Sequence, residues 1–337
     1  MIISRTPFRI SFFGGGTDYP AWFKENGGAV LATTFNKYCY ITCRYLPPFF
    51  EHKYRLVYSK VETVNKTSEI QHPAIRAALD FLKIENGVEI HHDGDLPART
   101  GLGSSSSFTV GILNTLYALK GVMPTRQRLA KEAIHLERNV LKEHVGSQDQ
   151  ISAALGGFNK IEFIDDDDFQ QTPVTLTKPR MELFQSHLML FFTGISRFAT
   201  DIAKTKIDNI PNKNKELKAM REMVDHAMEI LSSGDCLTRF GKLLDESWKL
   251  KRGLSGSVSS PQIDEIYSTA MSAGALGGKL LGAGGGGFML IFARPEDQPK
   301  IEKKLKKLLC IPVELENSGT QIVVYQPDIT PDHFLNK

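Results

Sequence analysis

The alternation of apolar and polar positions changes period several times along the chain, and each change marks an element. Tyr38–Leu46 is aromatic and β-branched and predicts a strand. Arg55–Ser59 predicts a shorter one, and Gly87–Pro97 a strand running into a polar turn. From Ser104 to Gly121 the pattern becomes helical; it opens on serines able to cap and stops at a glycine. Thr125–Glu143 predicts a second helix, with Thr125 as its N-cap. Asp165–Asp168, an all-aspartate run, predicts a solvated loop. His187–Gly194 is an apolar strand ending in glycine, and Glu216–Gly234 carries a helical apolar face with Met220, Met223 and Met228 as core filler. Two helices flank Gly253–Pro261, and Gly277–Ala293 predicts a glycine-rich turn entering a strand. A basic helix at Lys300–Leu309, with a solvated charged face, and a strand at Gln321–Tyr325 close the chain. Helices and strands alternate without a regular βαβ period or an internal repeat. That predicts an α+β fold with each sheet covered on one face.

Length and composition narrow the class. With 337 residues the chain exceeds one simple core, which predicts two domains or one large α/β domain; if two, the expected division is into residues 1–180 and 181–337. The net charge of +3 comes from interleaved acidic and basic residues, with no basic stripe interleaved with aromatics, which argues against nucleic acid. Cys39, Cys43, Cys236 and Cys310 form no CxxC pair and stand without a histidine cluster, so neither zinc nor a disulfide framework is indicated. No apolar run approaches the roughly 18 residues of a membrane span. The N-terminus lacks an apolar leader pattern, and the chain reads as cytoplasmic with reduced thiols.

Three glycine-rich stretches carry the candidate chemistry. In Asp95–Ser107, Gly101 and Gly103 free the backbone, and Ser104, Ser105, Ser106 and Ser107 open a helix. A helix start presents unpaired N–H groups and the positive end of its dipole, and serine hydroxyls add donors and a hard-cation ligand. Together these predict a polyphosphate cradle. It is not a Walker A loop, because no lysine follows the glycines, and the Gly277–Lys279 triplet runs into Leu280. Gly282–Gly287 matches a dinucleotide fingerprint in spelling only, since a strand and not a helix follows it. Gly14, Gly15 and Gly16 precede Thr17, Asp18 and Tyr19, a bare backbone before a carboxylate. Glu137 falls on the apolar face of the second helix, where a carboxylate needs a cation or several donors: a structural partner or a magnesium ion. Asp149, in a polar turn twelve residues on, is placed to orient or deprotonate a hydroxyl nucleophile, or to cap a helix.

These three motifs, in this order, resemble those of the GHMP kinase superfamily, and the resemblance covers essentially the whole chain. It implies a two-domain α+β fold with the active site between the domains, and ATP-dependent phosphorylation of a small-molecule hydroxyl or phosphate with Mg2+. By the same resemblance Gly101, Leu102, Gly103 and Ser104–Ser107 would hold the ATP phosphates, and Ser105 and Glu137 the magnesium. Asp149 would be the catalytic base, with Arg9 beside it. Gly15, Gly16, Thr17, Asp18, Tyr19, Gly284 and Gly285 would border the substrate.

The first motif departs from its galactokinase form. Gly15 and Gly16 stand where galactokinases carry an acidic residue and a histidine, which leaves a roomier sugar pocket. In that respect it resembles the branch phosphorylating D-glycero-D-manno-heptose 7-phosphate at its anomeric C1 hydroxyl, on the way to GDP-heptose. The partner implied is a small sugar phosphate, with neither nucleic acid nor membrane. Its second phosphate needs a further anion site, for which Arg197 is the first candidate, and Lys249, Lys251 and Arg252 follow. The alternatives are another sugar 1-kinase, acting on fucose or a related sugar, and a non-catalytic sugar and nucleotide sensor. A sensor would be expected to lose Asp149, Glu137 or the serine loop, all of which are present.

Overall fold

The computed structural model describes residues 1–47, 49–98, 100–165, 168–195, 207 and 209–327. Arg197 lies outside them, as do Asp166 and Asp167 of the aspartate run. The first sheet is built on β1 (Ile2–Phe13) and the long β2 (Gly28–Tyr45), antiparallel along their length. Helix α1 (Pro20–Asn26) joins them. Strand β3 (Tyr54–Val57), β4 (Val61–Val64) and, after helix α2 (Pro73–Phe81), β5 (Val88–Gly94) extend this sheet in the order β2-β5-β3-β4. Helices α3 (Ser104–Leu119), α4 (Arg126–His135) and α5 (Gln148–Leu155) follow. Strand β6 (Phe158–Asp165) then pairs with the first half of β2 and with β7 (Asp168–Pro173), and Asp165 and Asp168 of the aspartate run face each other across the β6–β7 pair.

After α6 (Lys178–Ser186) comes the second sheet, of β8 (Leu188–Phe192), β9 (Gly277–Leu280), β10 (Phe288–Phe292) and β11 (Leu309–Ile311), ordered β11-β8-β10-β9. Helices α7 (Asn214–Ser232), α8 (Thr238–Arg252), α9 (Pro261–Ser272) and α10 (Gln298–Lys304) lie between these strands in the chain. The last two strands return to the first sheet: β12 (Leu315–Glu316) pairs with β2 and β13 (Gln321–Tyr325) with β1.

Burial explains why β1 is continuous. Its first residues alternate, and from Thr6 to Phe13 every residue is buried. Strand β1 packs on α3, α5, α7 and α8, so both faces of this half are covered, and Arg9 and Ser11 are buried along with Phe8, Ile10 and Phe12. Phe12 of β1 meets Phe184 of α6 at 5.5 Å and Phe240 of α8 at 5.7 Å, and Phe240 reaches Phe292 of β10 at 5.2 Å. The two Phe12 pairs are edge-to-face, and such pairs add about 0.5–1.5 kcal/mol each beyond their burial. This aromatic cluster ties the first sheet to the second and fixes the cleft between them.

Candidate active site

A cavity of about 310 Å³ opens where four segments converge: the Gly14–Tyr19 turn after β1, the loop before α3, the start of α5, and the β9–β10 turn. Its centre is an ion pair. Arg9 lies in the buried half of β1, where a guanidinium needs a partner. It donates to both carboxylate oxygens of Asp149, Nε to Oδ1 at 2.8 Å and Nη2 to Oδ2 at 2.8 Å, and through Nη1 to the Gly101 carbonyl at 2.7 Å. Asp149 sits in the first turn of α5, where the helix dipole also favours a carboxylate. Its side chain keeps 26% exposure, so it faces the cavity while its partner is enclosed. Gly103 has φ +73°, and a Cβ there would stand 3.3 Å from both Arg9 Cγ and Asp149 Oδ2. Glycine is what lets the loop close over the pair.

Helix α3 starts without a side-chain cap; its N-cap is Gly103 in the left-handed conformation. The serines expected to cap take different tasks. Ser104, Ser105 and Ser106 line the cavity, Ser106 Oγ also donates to Glu137 at 2.9 Å, and Ser107 Oγ donates to the Pro7 carbonyl at 2.9 Å, tying α3 to β1. Ser107 and the buried Leu102, whose carbonyl accepts from Arg9 N–H at 3.1 Å, therefore hold the loop in shape and do not line the cavity. A first turn without a side-chain cap, opening on a cavity, suits an anion. The β9–β10 turn lies directly against it. A Cβ on Gly101 would be 2.5 Å from the Leu281 carbonyl oxygen, and Phe288 N–H donates to the Thr100 carbonyl at 3.2 Å. Gly282 and Ala283 border the cavity, whereas Gly284 and Gly285 turn away and pack on Val258, with Gly285 N–H bonded to its carbonyl at 2.9 Å.

The second predicted helix is interrupted. Thr125 caps α4 as expected, through Arg128 N–H, but from Leu136 to Val140 the chain makes a π-helical turn. Such turns widen a helix and concentrate at functional sites. Glu137 lies within this one, fully buried. Its Oε2 accepts from Ser106 and from Gln150, while Oε1 has no partner. Burial pushes its carboxyl up to about 7, against hydrogen bonds that favour the charge. Ser105, expected beside Glu137, faces the cavity, and the hydroxyl bonded to the carboxylate is that of Ser106. A carboxylate with a free oxygen behind serine hydroxyls and a phosphate-sized cavity suits a hard cation that completes its shell with phosphate oxygens. Among the described residues no three acidic, histidine or cysteine side chains cluster as a protein-only metal cage.

In the Gly14–Tyr19 turn, Gly15, Gly16, Asp18 and Tyr19 line the cavity. Thr17 does not: it is fully buried, and its hydroxyl donates to the carbonyls of Gly14 at 2.8 Å and Ala29 at 2.9 Å, closing the turn. Asp18 is 3% exposed and accepts from Gly16 N–H and from Gln148 Nε2, each at 2.9 Å. Burial, with the nearby Asp149 charge, raises its carboxyl despite these donors. Two lysines also reach the cavity: Lys251, donating to the Leu280 and Gly282 carbonyls at 2.7 Å, and Lys279, donating to the Phe12 carbonyl at 2.7 Å. Lys279 fails the Walker pattern because Leu280 follows it; its place in the otherwise apolar, fully buried β9 is the signal that sets it apart. Lys251 shares the core face of α8 with Leu244 and Trp248, at helical spacing. The neighbouring candidates Lys249 and Arg252 point outward, paired with Asp245 at 2.6 Å and Asp264 at 2.9 Å. Ser11 and Gln148 left no signal in the sequence.

The profile of the GHMP kinases N terminal domain matches residues 69–157, and that of the GHMP kinases C terminal region matches residues 228–309. The chain belongs to the GHMP kinase family. As a member it is an ATP-dependent phosphotransferase, and the cradle at α3 lies within the first match. The chain is 29% identical, over 91% of its length and 93% of the relative's, to D-glycero-alpha-D-manno-heptose 7-phosphate kinase of Campylobacter jejuni. It is 25% identical, over 92% of its length, to the L-fucokinase/L-fucose-1-P guanylyltransferase of Bacteroides fragilis, of which it spans 36%. The fold superposes on a D-glycero-D-manno-heptose 1-phosphate kinase from Bacteroides thetaiotaomicron with a TM-score of 0.79 at 22% identity, covering 97% of this chain and 100% of that one. It superposes on Lactococcus lactis galactokinase complexed with galactose with a TM-score of 0.74 at 18% identity, covering 95% and 94%. No described helix is long and apolar enough to cross a membrane.

Proposed function

We propose that this GHMP kinase transfers the γ-phosphoryl group of ATP to the anomeric C1 hydroxyl of D-glycero-D-manno-heptose 7-phosphate, giving the 1,7-bisphosphate on the way to GDP-heptose. The observation that carries a sugar-kinase mechanism is the Arg9–Asp149 pair, whose carboxylate faces the same cavity as the first turn of α3. Phosphoryl transfer depends mainly on positioning and charge neutralisation. Gly101–Ser105 and the α3 dipole hold the phosphates, and Asp149 accepts the proton of the attacking hydroxyl. Arg9 keeps Asp149 in place and faces the charge that develops. Ser105, Ser106 and Glu137 would hold magnesium, which supplies further neutralisation of the phosphate oxygens. The cavity wall left bare at Gly15, together with the 29% identity to the Campylobacter jejuni relative, favours the heptose. A second reading, a fucose 1-kinase, draws on the Bacteroides fragilis relative. An ATP-consumption screen over sugars and sugar phosphates, with NMR of the product, tests both. Heptose 7-phosphate should be preferred over the same heptose without its phosphate. A preference for fucose, or phosphorylation at an oxygen other than that on C1, sinks the heptose reading.

A further inference from the structure

The three glycines after β1 are glycine for different reasons. Gly14 has φ +78°, and a Cβ there would lie 1.9 Å from the Ala29 carbonyl oxygen; Gly16 has φ +111°. At both the backbone itself excludes a side chain. Gly15 is outside the left-handed region, and its Cβ would make only ordinary contacts, 3.7 Å from Ser11 Oγ and 3.8 Å from Gln148 Nε2. Nothing in the fold demands glycine at 15.

Ser11 and Gln148, which flank that bare point, carry orphaned polar atoms. Ser11 is 5% exposed and its hydroxyl has no partner. Gln148 is 9% exposed; its Nε2 is committed to Asp18 Oδ2 at 2.9 Å, and its Oε1 has no partner. The amide orientation is set by Asp18, whose other oxygen accepts from Gly16 N–H, so a donor must face Oδ2. Both residues line the cavity. Unmade hydrogen bonds on atoms this buried cost about 1–3 kcal/mol each, and such atoms call for a ligand group.

We infer that Ser11 and Gln148 form a specificity pocket that reads one hydroxyl of the sugar, distinct from the reacting one, in the space kept open by Gly15. The required group must donate to Gln148 Oε1 and exchange a hydrogen bond with Ser11 Oγ, and a hydroxyl does both. An anion is disfavoured, because Oε1 is acceptor-only and the Asp18 and Asp149 carboxylates stand close by. Asp18 is then a positioning residue: it fixes the Gln148 amide. This inference rests on the sugar-kinase reading only in taking a polyol as the acceptor.

The test is a cycle of enzyme and substrate deletions on whichever sugar the screen identifies. The parent sugar and its mono-deoxy analogues are compared with wild type, Ser11→Ala and Gln148→Met. Wild type should lose about 10- to 100-fold in kcat/KM on one analogue. Ser11→Ala and Gln148→Met should each lose several-fold or more on the parent and little further on that same analogue. Ser11→Ala should unfold at or above the wild-type temperature, because its hydroxyl has no partner in the protein, so a folding defect does not confuse the result. Equal losses on the parent and on every analogue, or no loss on the parent, overturn the pocket. Phosphorylation of fucose in place of the heptose overturns the heptose assignment alone, and the cycle is then run on fucose. An enzyme that phosphorylates no sugar overturns both.

Discussion

Replacing Asp149 by asparagine separates the two tasks assigned to that carboxylate. The change is nearly isosteric, so Gly103, whose Cβ position lies 3.3 Å from Oδ2, has no new clash to absorb. Arg9 keeps its bond to the Gly101 carbonyl and one bond to the asparagine oxygen, but its other donor then faces an amide NH₂. Breaking a buried ion pair costs about 3–5 kcal/mol. Here the Arg9 side chain is only 5% exposed but keeps two of its three acceptors, so the cost should sit at the lower end of that range, about 3 kcal/mol. Against a typical stability of about 5–15 kcal/mol the variant still folds, with its Tm lowered by a few degrees. Its kcat should fall by a factor on the order of 10² to 10⁴, the usual contribution of a positioned base. Nucleotide affinity should hold, because the Gly101–Ser105 cradle keeps its backbone bonds. Steady-state kinetics, thermal unfolding and nucleotide titration are read on the same preparation. A kcat near wild type would remove Asp149 as proton acceptor and leave it a structural partner of Arg9. A parallel loss of nucleotide affinity would mean that the loop had collapsed.

Glu137→Gln should raise the magnesium concentration for half-maximal rate by about tenfold or more, and an unchanged requirement would take Glu137 out of the metal site. Glu89 reports on acid stability. Burial alone would raise its carboxyl, but hydrogen bonds from His91, Arg44 and Arg55 outweigh burial and hold it at about 2, against an ordinary 4.5. Its stabilising contribution is therefore complete above pH 4.5 and is lost as pH falls through about 2. Because Arg44 and Arg55 are 43% and 41% exposed, Glu89→Gln should cost only about 1–2 kcal/mol at pH 7. The gap to wild type in denaturant titrations should close between pH 4.5 and 2, and a gap independent of pH would show that the charge is not its source. Gly14→Ala should destabilise by about 2 kcal/mol or more, while Gly15→Ala stays within about 1 kcal/mol and raises KM for the sugar. Equal unfolding temperatures for the two variants would contradict the distinction between them.

The legible parts of the fold were those where one period runs unbroken. Helix α3 was readable to within two residues of its end, because its apolar pattern is dense and its start is marked by glycine and serine. Strands β8 and β10 were legible as apolar runs. The first half of β2 was not, since burial on both faces erases the alternation that identifies a strand. The π-turn at Leu136–Val140 was invisible for a different reason. Thr125–Glu143 keeps a helical composition throughout, and the insertion of Glu137 into the core is decided by packing, not by propensity. The return of β12 and β13 to the first sheet is a long-range pairing, and no local pattern in those short segments announces a partner on β1 or β2.

The site was legible where charge and glycine coincide. Asp149, Gly101 and Gly103 were expected from the residues and Arg9 from the family resemblance, and the structure brings the four together around one guanidinium. What the sequence concealed is the division of labour among identical residues. Four serines in a row are equivalent as letters, yet three line the cavity, one of these also holding Glu137, and the fourth holds β1. Three glycines in a row are likewise equivalent until Gly14 meets the Ala29 carbonyl and Gly15 meets nothing close. A side chain excluded by backbone is a demand of the fold, whereas a side chain absent where one would fit is a demand of the ligand. By that criterion the substrate information in this motif is concentrated at Gly15, whereas Gly14, closed in by the Ala29 carbonyl, answers to the fold.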